Sequence, residues 1–284
     1  MEDRRIWWSF IIPSTLVALA VILSLGAVFQ YSFRTFIPGS LDTGGFTLEN
    51  FYNIGRPLYF WVIVNTLLIS FLTAIFCLLL SYPVAYALVR TKAEWLRTLL
   101  VILSITPLFT GEIVRTYAWM LVLGTEGFIN SMLLSLGIIG APLQFMYTMF
   151  GVVVALVHFS MPVMIILLAT AISHVNRDYE KAAANLGAAP MVVFWRVTVP
   201  LTMPGIVAST VVIFAWTMSA FATPQLIGGG KVLMISNLVY LQGLSSFNFP
   251  VAAVLSVVAF VAAVGSLALI QPFITRLERR VAHQ

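Results

Sequence analysis

Residues 59–89 read YFWVIVNTLLISFLTAIFCLLLSYPVAYALV, without one charged side chain. A helix rises about 1.5 Å per residue and a bilayer core is roughly 30 Å thick, so about 20 apolar residues suffice to cross it. This stretch is longer than that. It sits in a chain of 284 residues that is 61% hydrophobic and 9% charged, with a mean hydropathy of +1.02. Soluble domains carry roughly 25% charged residues. A chain so poor in charge cannot cover a water-facing surface, which excludes a soluble globular enzyme. The expected fold is an all-α polytopic membrane protein.

Outward from this stretch, five more are long enough to span: residues 8–31, 99–124, 149–174, 205–227 and 250–274. The first follows Arg4 and Arg5 and contains Ala18-Leu19-Ala20, as a signal peptide would. Its apolar run continues to Phe29, so cleavage would fall inside the span, and it reads as an uncleaved first helix. The single cysteine, Cys77, rules out an internal disulfide and a cysteine-based metal cluster; among leucines it reads as a small buried hydrophobe. No metal site is expected.

The net charge of +5 and pI near 9.6 follow from topology and need no nucleic acid. With the N-terminus inside, six spans return the C-terminus inside. Arg4, Arg5, Arg90, Lys92, Arg97, Arg177, Lys181, Arg196, Arg276, Arg279 and Arg280 then fall on the cytoplasmic side. Arg34, Arg56 and Lys231 fall outside, and Arg115 lies near or within a span. That asymmetry is what the positive-inside rule requires.

The outer connections are turn-rich. Residues 34–58 contain Pro38-Gly39, Gly44-Gly45 and Asn53. Two apolar pieces, 128–139 and 231–244, are too short to span. They read either as outer gates or a platform for an extracytoplasmic partner, or as seals for the end of the bundle.

The inner connection 174–204, HVNRDYEKAAANLGAAPMVVFWRVTVPLTMP, is far longer than the 2–8 residues that join bundle helices. Its alanine-rich part, 179–186, favours helix, and Gly187 suits a left-handed cap. A second short helix is expected from Pro190 to Val199, closed by Pro200, with both helices outside the span. A structured connection of 31 residues implies contact with something in the cytoplasm.

This segment is similar to the EAA loop of permease subunits in binding-protein-dependent type I ABC importers, E-A-A-x-x-x-G followed after nine residues by I-x-L-P. Ala182, Ala183 and Gly187 match the first half, and Val197-Thr198-Val199-Pro200 match the second with conservative changes. Lys181 holds the family's glutamate position, with Glu180 one residue earlier. Ile113-Val114-Arg115-Thr116-Tyr117-Ala118-Trp119 and the run 228–237, GGGKVLMISN, resemble the spermidine/putrescine branch. The likeness divides the chain into a first helix with its outer loop (1–58), a transmembrane core (59–275) and a cytoplasmic tail (276–284).

The resemblance implies a bacterial inner-membrane permease that forms half of a translocation pathway. A second permease, two ATPase subunits and an extracytoplasmic substrate-binding protein would complete the importer, with lipid around the spans. The first loop helix would dock in a groove of the ATPase through Glu180, Lys181, Ala182, Ala183, Leu186, Gly187, Ala188 and Pro200. Closure of the ATPases would tilt the spans from inward-open to outward-open. Arg177, Asp178 and Arg196 would add polar contacts at the rim. The cargo implied is a polyamine or a related amine or opine-like solute.

Chemistry of other kinds is missing. Gly228-Gly229-Gly230-Lys231 continues with Val232 and lacks the first glycine of a phosphate-binding G-x-x-x-x-G-K-[ST] loop. ATP and Mg therefore belong on the partner ATPase, and no cofactor is expected on this chain. No H-E-x-x-H, G-x-S-x-G or paired catalytic carboxylates occur, so an enzyme is not expected. The other transport reading, a secondary transporter driven by an ion gradient, would want an intramembrane carboxylate relay or an inverted repeat.

Within the spans Glu112 is the one acid; counting about 1.5 Å per residue from Arg97 puts it about 22 Å into the bilayer. Arg115 follows three residues later on the same helix face, within pairing reach. These two, with Tyr117, Trp119, Trp216, Ser219 and Phe221, are the candidate pathway residues; the alternatives are an interfacial ion pair and aromatic packing. His158 reads as a helix-packing hydrogen bonder. One paired acid is a poor site for a dication, so selectivity would reside in the binding protein or draw on charges from the second permease.

Overall fold

The computed structural model describes residues 2–40 and 43–282, with side chains for 11–40, 44–266 and 268. In chain order it contains α1 (Glu2–Ser32), a hairpin of β1 (Arg34–Phe36) and β2 (Thr43–Phe46), α2 (Glu49–Asn53), α3 (Pro57–Arg90) and α4 (Glu94–Ile105). There follow α5 (Glu112–Leu123), α6 (Phe128–Ser135), α7 (Met149–Ser173), α8 (Arg177–Asn185) and α9 (Pro190–Val193). The chain closes with α10 (Val199–Met218), α11 (Ala222–Gly228), α12 (Ile235–Tyr240) and α13 (Phe249–Ala282). Among the described residues five helical stretches are long and apolar enough to cross a membrane: Ile11–Ser32, Pro57–Arg90, Met149–Ser173, Pro190–Met218 and Phe249–Ser266. A bent pair, Glu94–Phe109 with Glu112–Ser135, makes the sixth if taken as one span. The fold is all-α and polytopic.

Two compact units are formed, one of Met1–Trp61 with Ile235–Ala262 and one of Val62–Met234 with Ala263–Gln284. In the first, β1 and β2 pair antiparallel with Arg34 opposite Phe46, a small sheet within the segment expected to be turn-rich. Phe33 stacks on Phe46 with ring centroids 5.4 Å apart. Buried Asn50 donates its amide to the carbonyls of Ser32 and Arg34, which fixes α2 against the end of α1.

In the second unit the buried face of α3 carries Ser70, Thr73, Ala74, Cys77, Ser81 and Ala85. Side chains this small let helices approach closely, which is how membrane helices gain packing when lipid is as apolar as leucine. The same logic joins α7 to α10, where a Cβ at Gly205 would overlap Ala171. Buried Asn130 on α6 donates to the carbonyls of Gly124 and Leu143 and accepts from the Leu143 amide, tying the α5–α6 turn to the following loop.

Three expected boundaries are corrected. The third span, 99–124, is not straight: α4 tightens into a 3₁₀ turn at Thr106–Phe109, Thr110 is extended, and the two arms meet at 106°. Pro107 suits the first turn of the 3₁₀ segment, and Gly111 opens the next helix. Glu112 thus begins a new helix, and its depth cannot be counted along α4. The second loop helix does not close at Pro200: α9, a π turn at Phe194–Thr198 and α10 run on from Pro190 to Met218. Pro200 sits in the first turn of α10, where its missing N–H is tolerated. The fifth span accordingly begins earlier than residue 205 and ends at Met218, and α11 is a separate short helix packed on α5 and α7. The expected last span, 250–274, lies within α13, whose helix carries on to Ala282. The side chains of Arg4, Arg5, Arg276, Arg279 and Arg280 lie outside the described residues, as do the last two residues of the 276–284 tail.

Candidate functional site: the 174–204 loop and an arginine–aromatic cluster

The loop helix α8 starts where Asn176 caps it, its side chain accepting from the Asp178 amide. It stops at Gly187, whose φ of +85° is the left-handed conformation glycine tolerates without a Cβ penalty. The Ala188 amide reaches back to the Ala183 carbonyl and the Gly187 amide to that of Ala184, a Schellman closure. Four of the expected docking residues are open, Lys181, Ala182, Leu186 and Gly187; Ala183 and Ala188 are half-buried. Leu186 is 89% exposed, an unusual state for leucine, and Tyr179, Met191 and Trp195 extend the apolar surface. Pro200 is half-buried at the start of α10.

Glu180 behaves differently. It turns inward, and its Oε1 lies 3.0 Å from Arg90 Nη2, 3.1 Å from Arg90 Nε and 2.9 Å from the Thr198 hydroxyl, all of them donors. Arg90 also donates to the Val175 carbonyl at 3.1 Å, and Arg177 donates to the Val89 carbonyl. Lys181 and Asp178 pair on the outer surface at 2.9 Å, and that ammonium holds the Asp178 carboxyl below its ordinary value. Glu180 does not stand on the open face with Lys181 and Leu186; it is an internal anchor. Arg196 is exposed.

The pathway candidates separate into two groups. The Arg115 guanidinium lies over the Phe159 ring at 4.2 Å, Trp119 donates to His158 Nδ1 at 3.2 Å, and Phe159 and Trp216 have ring centroids 6.3 Å apart. Arg115, Trp119 and Trp216 thus converge on the His158–Phe159 pair of α7. Glu112 is half-buried, and no ion pair within 4 Å joins it to Arg115, contrary to expectation. Tyr117 points elsewhere, into a cavity of about 430 Å³ with Met120, Gly124, Met146 and Tyr147. Ser219 is exposed with its hydroxyl on the Trp216 carbonyl, and Phe221 is half-buried.

Over residues 77–283 the chain matches the family described as binding-protein-dependent transport system inner membrane component. It belongs to that family. The spermidine/putrescine transport system permease protein PotB of Haemophilus influenzae is 35% identical over 247 residues, covering 87% of this chain and 86% of the relative. PotB of Escherichia coli is 34% identical over 241 residues, 85% of this chain and 87% of the relative. In structure the chain is similar to a chain of a bacterial alginate ABC transporter, with TM-score 0.78 at 18% identity and 95% of each chain covered, a likeness of fold. This chain is therefore a multi-pass inner-membrane permease of a binding-protein-dependent importer, working with an ATPase, a second permease and a binding protein. That membership decides against the ion-gradient carrier.

Sequence reading missed Arg90 and Thr198 as partners of Glu180, and Tyr82, which shares a 2.8 Å hydrogen bond with Thr202. Ninety positions separate Arg90 from Glu180, and no local pattern connects them. One signal was available: Arg90 closes an uncharged run, and Glu180 is one of only ten acids in the chain.

Proposed function

We propose that this permease forms half of an import pathway for spermidine, putrescine or a related amine, in an importer with two ATPase subunits, one of which docks on α8 of this chain. Both termini lie in the cytoplasm, the second permease is a paralogue, and ATP with Mg is held by the ATPases alone. The observation that carries the docking reading is the open apolar face of α8 and α9, with Leu186 at its tip, beside the small side chains of Ala182 and Ala183 that permit close approach. The cargo class rests on the 35% identity to a relative named for spermidine and putrescine over most of both chains. The Phe159 face is taken by the Arg115 guanidinium 4.2 Å away, so the half-buried carboxylate of Glu112 is the group of this cluster that would attract a passing ammonium.

The assembled importer in proteoliposomes, supplied with its binding protein and ATP, should accumulate radiolabelled putrescine or spermidine. Substitution of Leu186 by aspartate should abolish uptake together with ATPase co-purification. Uptake at the wild-type level without a bound ATPase would overturn the reading.

A further inference from the structure

On α3, Tyr82, Tyr86 and Arg90 follow one another at intervals of four and therefore share a face. That face meets the 174–204 region at three levels. Tyr82 bonds the Thr202 hydroxyl of α10 at 2.8 Å. Tyr82 and Tyr86 both pack edge-on against Phe194 of the π turn, with ring centroids 5.6 and 5.2 Å away. Arg90 ends the ladder on Glu180 of α8, with 11% and 15% of the two side chains exposed. The same Glu180 oxygen also takes the Thr198 hydroxyl, so one carboxylate joins α3, α8 and the start of α10.

Two guanidinium nitrogens and a hydroxyl on one carboxylate oxygen fix the geometry of this ion pair, and loss of either partner leaves the other charge largely enclosed. It lies at the far end of the ladder from Tyr82, where a force applied to α8 would enter. The exposed Lys181–Asp178 pair, one turn away on the open face, has no such enclosure. We infer that Arg90 and Glu180, with Thr198, are positioning residues that make α8, the π turn and the inner end of α3 move as one body. A displacement of the docking helix is then transmitted to a membrane span instead of being absorbed by the loop. The inference rests on the docking reading above.

The test uses the full importer complex with spin labels on cysteines introduced at the exposed positions Asn185 of α8 and Leu80 of α3. In the otherwise wild-type complex the distance between labels should be the same without nucleotide and in the ATP–vanadate-trapped state. In E180Q and R90Q it should change or broaden on trapping. ATPase subunits should still co-purify in full, and putrescine taken up per ATP should fall about tenfold, within the range of ordinary coupling energies. T198V, which removes a single hydroxyl and keeps the volume, should show a smaller loss, and R90E/E180R should regain coupling that either single change removes. A distance that shifts in the wild-type complex, or one that stays sharp and constant in E180Q, overturns the inference. So does loss of the ATPase from E180Q, which would make Glu180 a docking contact. The distance arm needs no cargo, so an importer that rejects putrescine and spermidine would refute the cargo reading and leave the clamp testable.

Discussion

Two acid–base pairs in this molecule reverse what their sequence spacing suggests. Arg90 and Glu180 are ninety residues apart and meet at 3.0 Å; Glu112 and Arg115 are three apart on one helix and do not pair. Magnitudes account for the second case. An i,i+3 ion pair on a helix is worth about 0.2–0.5 kcal/mol, whereas a guanidinium on an aromatic face gains about 0.5–2 kcal/mol as water is removed. Arg115 takes Phe159, and Glu112, the first residue of α5, is left to its own surroundings. The first pair succeeds because a third donor, Thr198, and a backbone acceptor, Val175, complete its hydrogen bonding.

The largest effect is expected at the loop that carries Glu180. Deleting residues 182–186 should abolish ATPase co-purification altogether, and full recovery of the ATPase would remove α8 from the interface. E112Q probes the other pair. If an unpaired Glu112 contacts passing ammonium groups, uptake of putrescine should fall about tenfold, the size of one charged hydrogen bond, with assembly intact. Unaltered uptake would place Glu112 off the pathway. A smaller effect is expected from Gly187→Ala. Nothing lies within 4 Å of the added Cβ, so the cost is that of the left-handed backbone alone, about 1–2 kcal/mol, read as a lower thermal midpoint of the solubilised permease.

The smallest effect belongs to Asp178 and Lys181. The folded carboxyl lies below its ordinary value, so its contribution is present above the unfolded value, about 3.9, and fades as pH falls through the folded one. The K181A chain should differ slightly from wild type near neutrality and converge with it at acid pH. A gap that persists at low pH would mean that Lys181 acts through another contact.

Most of the fold was legible because length and hydropathy report a helix's crossing directly. The bend at Thr110 was not: Thr106-Pro107 and Gly111 are weak local signals inside a run whose average apolarity is unbroken. The π turn at Phe194–Thr198 was invisible for a related reason, since an extra residue in a helical turn leaves composition unchanged. Within the loop, Gly187 could be read as a stop because only its φ matters there. The inward turn of Glu180 could not, because it depends on Arg90, and a chain's long-range partners leave no mark on local spacing.

The buried stripe on α3 has a chemical consequence. Its member Cys77 is the only thiol in the chain and is wholly enclosed. A thiol acts as a nucleophile only as the thiolate, which apolar burial disfavours. Oxidants and maleimides on either side of the membrane should therefore pass the native permease by, leaving it redox-silent and a ready background for probes at chosen positions.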